Sequence, residues 1–162
     1  MKTIPTSLLL LFVFSLFVAN INAQGSKAEG QSGVKELIEK KSYVFLAQTA
    51  APMSGRMLQL TSTYTVKITG DTLVCNLPYF GRVYQPTMNP SDQGLTFTSY
   101  QFDYTSKVRK KGGWDVTIKT KDQSSQKKLV FTIFENGNAS LNVVSNDRQS
   151  ISYRGVLKMK EN

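Results

Sequence analysis

Histidine is absent from the 162-residue chain, and cysteine occurs once, as Cys75. Lacking imidazole, the protein has neither the commonest general base near neutral pH nor the commonest metal ligand. A lone cysteine excludes an internal disulfide and a cysteine-based zinc site. Acidic residues are scarce as well: 11 Asp and Glu face 20 Lys and Arg, giving +9 at pH 7. Those acids, among them Asp71, Asp103, Asp115, Glu135 and Asp147, fall mostly in turns or at strand ends. No spacing sets two of them in one cleft, as a glycosidase needs. A serine or threonine nucleophile would have only lysine for a base. No catalytic residue, metal or cofactor is expected, and the chain reads as a non-enzyme.

What is present begins with an address. Lys2 precedes the apolar run Leu8 to Val18, and Asn20-Ile21-Asn22-Ala23 ends in a small residue. The run is much shorter than the about 20 residues that span a bilayer. Residues 1–23 therefore read as a secretory signal cleaved near Ala23. The expected product is periplasmic or extracellular and, after processing, not transmembrane. Gln24 to Gly33 is small, polar and glycine-rich, a flexible leader. A single domain over 34–162 fits the remaining length, and a monomer is expected.

That domain opens with one short helix. Ser32 is its candidate cap, and Val34, Leu37 and Ile38 make a stripe that ends near Lys41. Beyond Ser42 the apolar period becomes two. Tyr64, Val66 and Ile68 alternate with Thr63, Thr65 and Lys67, and Gly70-Asp71 turns the chain into Leu73, Cys75 and Leu77. Leu95 and Phe97 open a strand whose parity shifts to Tyr100, Phe102 and Tyr104, which predicts a bulge near Thr98–Ser99. Lys110-Lys111-Gly112-Gly113 is a turn before Trp114, Val116 and Ile118. Leu129 to Phe134 is apolar on both parities, as in a central or doubly covered strand. Asn136-Gly137 predicts a hairpin, since both residues tolerate positive φ. Ala139, Leu141 and Val143, then Ile151, Tyr153 and Leu157, complete the count. The fold class is all-β and antiparallel, with about eight strands. A barrel is preferred to an open sandwich because closure removes sheet edges.

Several blocks carry a family resemblance: Lys41-Ser42-Tyr43-Val44-Phe45, Leu60-Thr61-Ser62-Thr63-Tyr64, Asn136-Gly137-Asn138-Ala139 and Ile151-Ser152-Tyr153-Arg154-Gly155. Most specific is Asn76-Leu77-Pro78-Tyr79-Phe80-Gly81-Arg82-Val83-Tyr84. Together they resemble the exported Bacteroidetes proteins grouped as domain of unknown function 4251. The resemblance covers nearly all of the chain past residue 23. It implies a lipocalin-like β-barrel in a Gram-negative envelope, and it implies no activity, substrate or catalytic residue. Asp71-Thr72-Leu73 also looks like an O-glycosylation acceptor of such exported proteins, although a turn aspartate before a strand threonine explains it equally well.

Two surfaces are candidates for binding. In the first, Tyr79, Phe80, Arg82 and Tyr84 surround Gly81 at a strand end, with Trp114 as a further ligand contact. Rings would supply contact area and Arg82 a fork for a carboxylate or phosphate. Aromatics near turns more often plug one end of the core, and these residues read that way too. The second is the basic stretch between Tyr104 and Val130, holding Lys107, Arg109, Lys110, Lys111, Lys119, Lys121, Lys127 and Lys128. Lys119, Lys121 and Lys128 would share an outer face, which could meet an anionic envelope polymer or merely protect a sheet edge. Nucleic acid is a poor partner for an exported protein. The expected partner is a small apolar or amphipathic molecule or an envelope component.

Overall fold

A computed structural model of the protein describes residues 33–84 and 94–159. The expected signal, the leader as far as residue 32 and the candidate cap Ser32 lie outside the described residues. Residues 33–39 are helical, so Gly33 belongs to the helix rather than to the leader. Val34 and Ile38 are buried and Leu37 packs beside them. Lys40 donates back to the Glu36 carbonyl at 2.9 Å, and the turn ends with Lys41 at φ 49°.

Nine β-strands follow among the described residues: β1 Ser42–Pro52, β2 Leu58–Thr69, β3 Thr72–Leu77, β4 Leu95–Ser99, β5 Phe102–Val108, β6 Trp114–Thr120, β7 Lys127–Ile133, β8 Asn138–Ser145 and β9 Ile151–Lys158. Their order is β4-β3-β2-β1-β9-β8-β7-β6-β5, and every neighbouring pair is antiparallel. The last strand returns to the first, which makes a nearly closed barrel. Only Tyr100 and Gln101 separate β4 from β5, and the pairings require both to run the same way. They form one bent strand that pairs with β3 before the bend and with β6 after it. The bend is clamped by Asp122, whose carboxylate accepts from Ser99 Oγ at 2.5 Å, from the Tyr100 amide at 2.7 Å and from the Gln101 amide at 3.3 Å. Those bonds, the Ser99 hydroxyl first, hold its carboxyl down at about 2.

Period-two burial on each strand sends one set of side chains inward. Phe45 on β1 and Phe131 on β7 meet edge-to-face at 5.6 Å, and Tyr43 approaches Phe131 at 6.4 Å. These strands are not neighbours in the sheet, so the rings meet across the barrel and occupy its middle. At the helix end, Tyr104 Oη donates to the Ile38 carbonyl at 3.1 Å and lies 3.3 Å from Tyr43 Oη.

Two local expectations are corrected and a third is narrowed to one of its alternatives. Tyr100 is 69% exposed, because the parity break falls at Tyr100–Gln101 rather than at Thr98–Ser99. At the Asn136-Gly137 hairpin only Gly137 takes positive φ, at 81°. Its amide donates to the Phe134 carbonyl at 3.0 Å, the longer hairpin in which a single glycine supplies the left-handed residue. Leu129 to Ile133 is a central strand with one covered face. Val130 on its other face is only half-buried, and Phe134 beyond the strand is exposed with the Arg109 guanidinium 5.5 Å from its ring.

Cys75 is wholly buried on β3. Burial pushes its thiol well above the ordinary range despite the opposing charge of Lys127. The folded protein is expected to resist an aromatic disulfide reagent and to release one equivalent of chromophore in denaturant. Rapid labelling without denaturant would contradict this placement.

Candidate functional site

β3 ends where Pro78 can no longer donate to a ladder. The Pro78 carbonyl instead accepts from Tyr153 Oη at 2.6 Å. Next, the Tyr79 ring folds back beneath its own chain. Gly81 permits this, since a Cβ there would stand 2.4 Å from Tyr79 Oη. That hydroxyl lies 2.8 Å from the carbonyl oxygens of both Arg82 and Gln149 and shares its single proton between them. Burial raises the Tyr79 hydroxyl above its usual value, against the Arg148 charge, so it stays a neutral donor.

Residues 82–84 then lie antiparallel to 147–149. The Gln149 amide donates to the Arg82 carbonyl at 2.9 Å and the Tyr84 amide to the Asp147 carbonyl at 2.8 Å, with Val83 opposite Arg148. This short bridge crosses one end of the barrel. Beneath it is a polar cluster that the sequence reading missed. Arg148 is 5% exposed; its Nε and Nη2 donate to Asp147 Oδ2 at 3.2 and 3.1 Å, and its Nη1 donates to the Gly94 carbonyl at 2.8 Å. The guanidinium lies 5.1 Å from the Tyr79 ring centre. Asp147 also accepts from the Ser145 hydroxyl and has Lys127 Nζ at 4.0 Å. Lys127 itself is buried beside the Phe97 ring and donates to the Ser125 carbonyl at 3.2 Å. It lies in the basic stretch of the sequence, and it shares inward parity with Leu129, Phe131 and Ile133.

Burial pushes the Asp147 carboxyl up, but bonds from Ser145 and Arg148 and the charges of Lys127 and Arg148 outweigh it. The carboxyl settles at about 2. Ser145 is thus bonded to a carboxylate that is a feeble proton acceptor at neutral pH. The arrangement fastens the end of the barrel. Among the described residues no group of three or more Cys, Asp or Glu could hold a metal ion.

The outside of this end is different. Phe80, Val83 and Tyr84 are exposed, and so is Arg82. In the loop joining β1 to β2, Met53, Arg56 and Met57 are exposed too. Gln149 links both segments: its side-chain amide is 3.5 Å from Ser54 Oγ, and its backbone holds Arg82 and Tyr79. Five exposed apolar side chains and two arginines therefore gather at one end. Of the predicted contacts, Tyr79, Phe80, Arg82 and Tyr84 are together, with Tyr79 structural and the other three outward. Trp114 is apart from them. It is buried opposite Ile133, at the β7–β8 hairpin end, whereas Tyr79 sits by the β8–β9 turn.

The basic stretch is dispersed. Lys119 and Lys128 face each other across β6 and β7 on the outer surface. Lys121 pairs with Asp103 at 2.5 Å and Arg109 with Asp115 at 3.4 Å, while Lys107 lies opposite Asp115. Lys110 and Lys111 occupy the exposed hairpin. No helix among the described residues is long and apolar enough to cross a membrane.

Residues 26–157 match the family described as Domain of unknown function (DUF4251). A solved DUF4251 family protein from Bacteroides eggerthii is similar in structure, with a TM-score of 0.61 at 13% identity. The similarity covers 84% of this chain and 91% of that one. At that identity it shows a shared fold. No curated protein matches the chain.

Proposed function

This chain belongs to the DUF4251 family, and from that premise we propose an exported, non-catalytic β-barrel module that docks by one end on an anionic lipid surface of the cell envelope. The carrying observation is the gathering of Met53, Met57, Phe80, Val83 and Tyr84, all exposed, around Arg56 and Arg82. Flexible and aromatic apolar side chains on loops suit insertion among headgroups. Each arginine near an anionic surface contributes about 1 kcal/mol. Among the described residues, Asp147 beneath this surface is buried and bonded to Arg148, so it does not offset the two exposed arginines. The rings filling the barrel's middle favour an exterior site over an interior one.

A second reading places the contact on β6–β7. Like charges directly opposite each other destabilise a sheet, and the Lys119–Lys128 pair would be relieved by an anionic polymer.

Flotation with phosphatidylglycerol vesicles, against phosphatidylcholine alone, separates these readings. Binding should require the anionic lipid. Replacing Arg56 and Arg82 by Gln removes about 2 kcal/mol of attraction and should weaken it about thirtyfold. Phe80→Ala with Tyr84→Ala should weaken it comparably, and Lys119→Glu with Lys128→Glu only slightly. Loss confined to the Lys119/Lys128 variant would transfer the function to the β6–β7 face. No vesicle binding at low salt would end the lipid proposal.

A further inference from the structure

On the barrel wall away from that end, a groove of about 430 Å³ runs over β1, β2 and the end of β9. That volume lies within the ~300–1,000 Å³ typical of small-molecule sites. We infer that this groove binds a single-chain amphiphile with an anionic head, its head held between Lys67 and Lys158 and its tail laid over Leu46.

The register sets the geometry. Val44 on β1 is directly opposite Lys67 on β2 and Lys158 on β9, so the two lysines flank it in one outward-facing row. Strands about 4.8 Å apart put the lysine backbones roughly 10 Å apart, and four-carbon stems from both sides can converge on one head group. In the next row Leu46 lies between Thr65 and Val156. The apolar floor thus begins directly beside the charged row, as a carboxylate or phosphate joined to a hydrocarbon chain requires.

The rest of the lining agrees in chemistry. Met159 extends the apolar surface, and Thr63 and Thr69 supply hydroxyls; among the described residues no Asp or Glu lines the groove. Among the described residues neither Lys67 nor Lys158 has a carboxylate partner. Two lysines without a described carboxylate partner, on the strands flanking Val44, repel each other, and an anion between them relieves that repulsion while the chain covers Leu46. The register of β1 and β2 slips between Ala47 and Thr49, and Thr63 on the rim comes from the stretch of β2 that β1 leaves unmatched.

Decanoate and decyl phosphate, each below its micellar concentration, are the probes, with decylammonium and decanol as controls. Amide NMR shifts should map to Val44, Leu46 and Thr65, and saturable binding should appear with both anions. Replacing Lys67 and Lys158 by Gln should weaken both about tenfold while leaving the melting temperature unchanged, because both side chains are exposed. Preference for one anion identifies the head as carboxylate or phosphate. Phe80→Ala with Tyr84→Ala should leave decanoate binding unaffected, which keeps this site distinct from the lipid-docking end. Equal binding of decylammonium, shifts mapping to another surface, full affinity in the double Gln variant or no binding at millimolar probe would each overturn the proposal.

Discussion

Gly155→Ala is expected to cost about 4 kcal/mol or more, beyond the usual overpacking penalty, because the clash is with backbone. Gly155 faces inward on β9, between Ala47 of β1 and Ala139 of β8. A Cβ there would stand 1.9 Å from the Leu46 carbonyl oxygen, 2.9 Å from its carbon and 3.0 Å from Ala47 Cα. None of these atoms can rotate away as a side chain could. Relief requires β1 and β9 to part, and that pairing is what brings the last strand back to the first. The row continues from Ala139 through Ile133 to Trp114 on one side and from Ala47 to Tyr64 on the other. Its small members lie in the middle and its large ones at the ends, so the closure is tightest at the glycine. Against a total stability of about 5–15 kcal/mol, this single methyl should lower the melting temperature by roughly 15 °C. A shift within about 3 °C would show that β1 does not approach β9 this closely.

The same contrast between local and distant pairings explains what the sequence made legible. Alternation at Tyr64, Val66 and Ile68, or at Trp114, Val116 and Ile118, is set by neighbours two residues apart, and the barrel confirms it strand by strand. The stripe of Val34 and Ile38 reports the helix in the same way. Tyr100 breaks the inward parity that its aromatic ring suggests. Its backbone is instead held by Asp122, far along the chain, and no pattern around Tyr100 announces that clamp. Lys127 shows the converse: it belongs to the basic stretch by charge, and its parity with Leu129 and Phe131 takes it inside. Arg148 and Asp147 lay in a stretch whose composition reads as an ordinary polar turn. They became a buried pair through residues 82–84 and Gly94, contacts that only the folded chain creates. In the Tyr79–Tyr84 segment the ring of Tyr79 fastens the barrel while Phe80, Arg82 and Tyr84 face outward.

Asp147→Asn tests that fastening, and its effect should be largest at neutral pH. The substitution keeps a hydrogen-bond acceptor for Arg148 and removes the negative charge shared with Lys127. Removing one member of a buried ion pair typically costs about 3–5 kcal/mol, and about 3 kcal/mol is expected here by urea unfolding at pH 7. The amides of Tyr84 and Gln149, which bridge 82–84 to 147–149, should exchange faster. The pH dependence follows from the carboxyl lying at about 2 in the fold against an ordinary 3.8. A depressed carboxyl contributes stability that is fully present above its unfolded value and is lost as pH falls through the folded one. The difference corresponds to about 2 kcal/mol, disappearing between about pH 4 and pH 2. Asp122 titrates over the same range, so the wild-type curve alone mixes two carboxyls. Subtracting the Asp147→Asn curve isolates one of them. The deficit of the variant should therefore shrink as acid is added, with Asp122 acting equally in both proteins. A deficit that stays constant from pH 5 to pH 2, or a variant as stable as wild type at pH 7, would mean that the charge of Asp147 does not hold this end of the barrel shut.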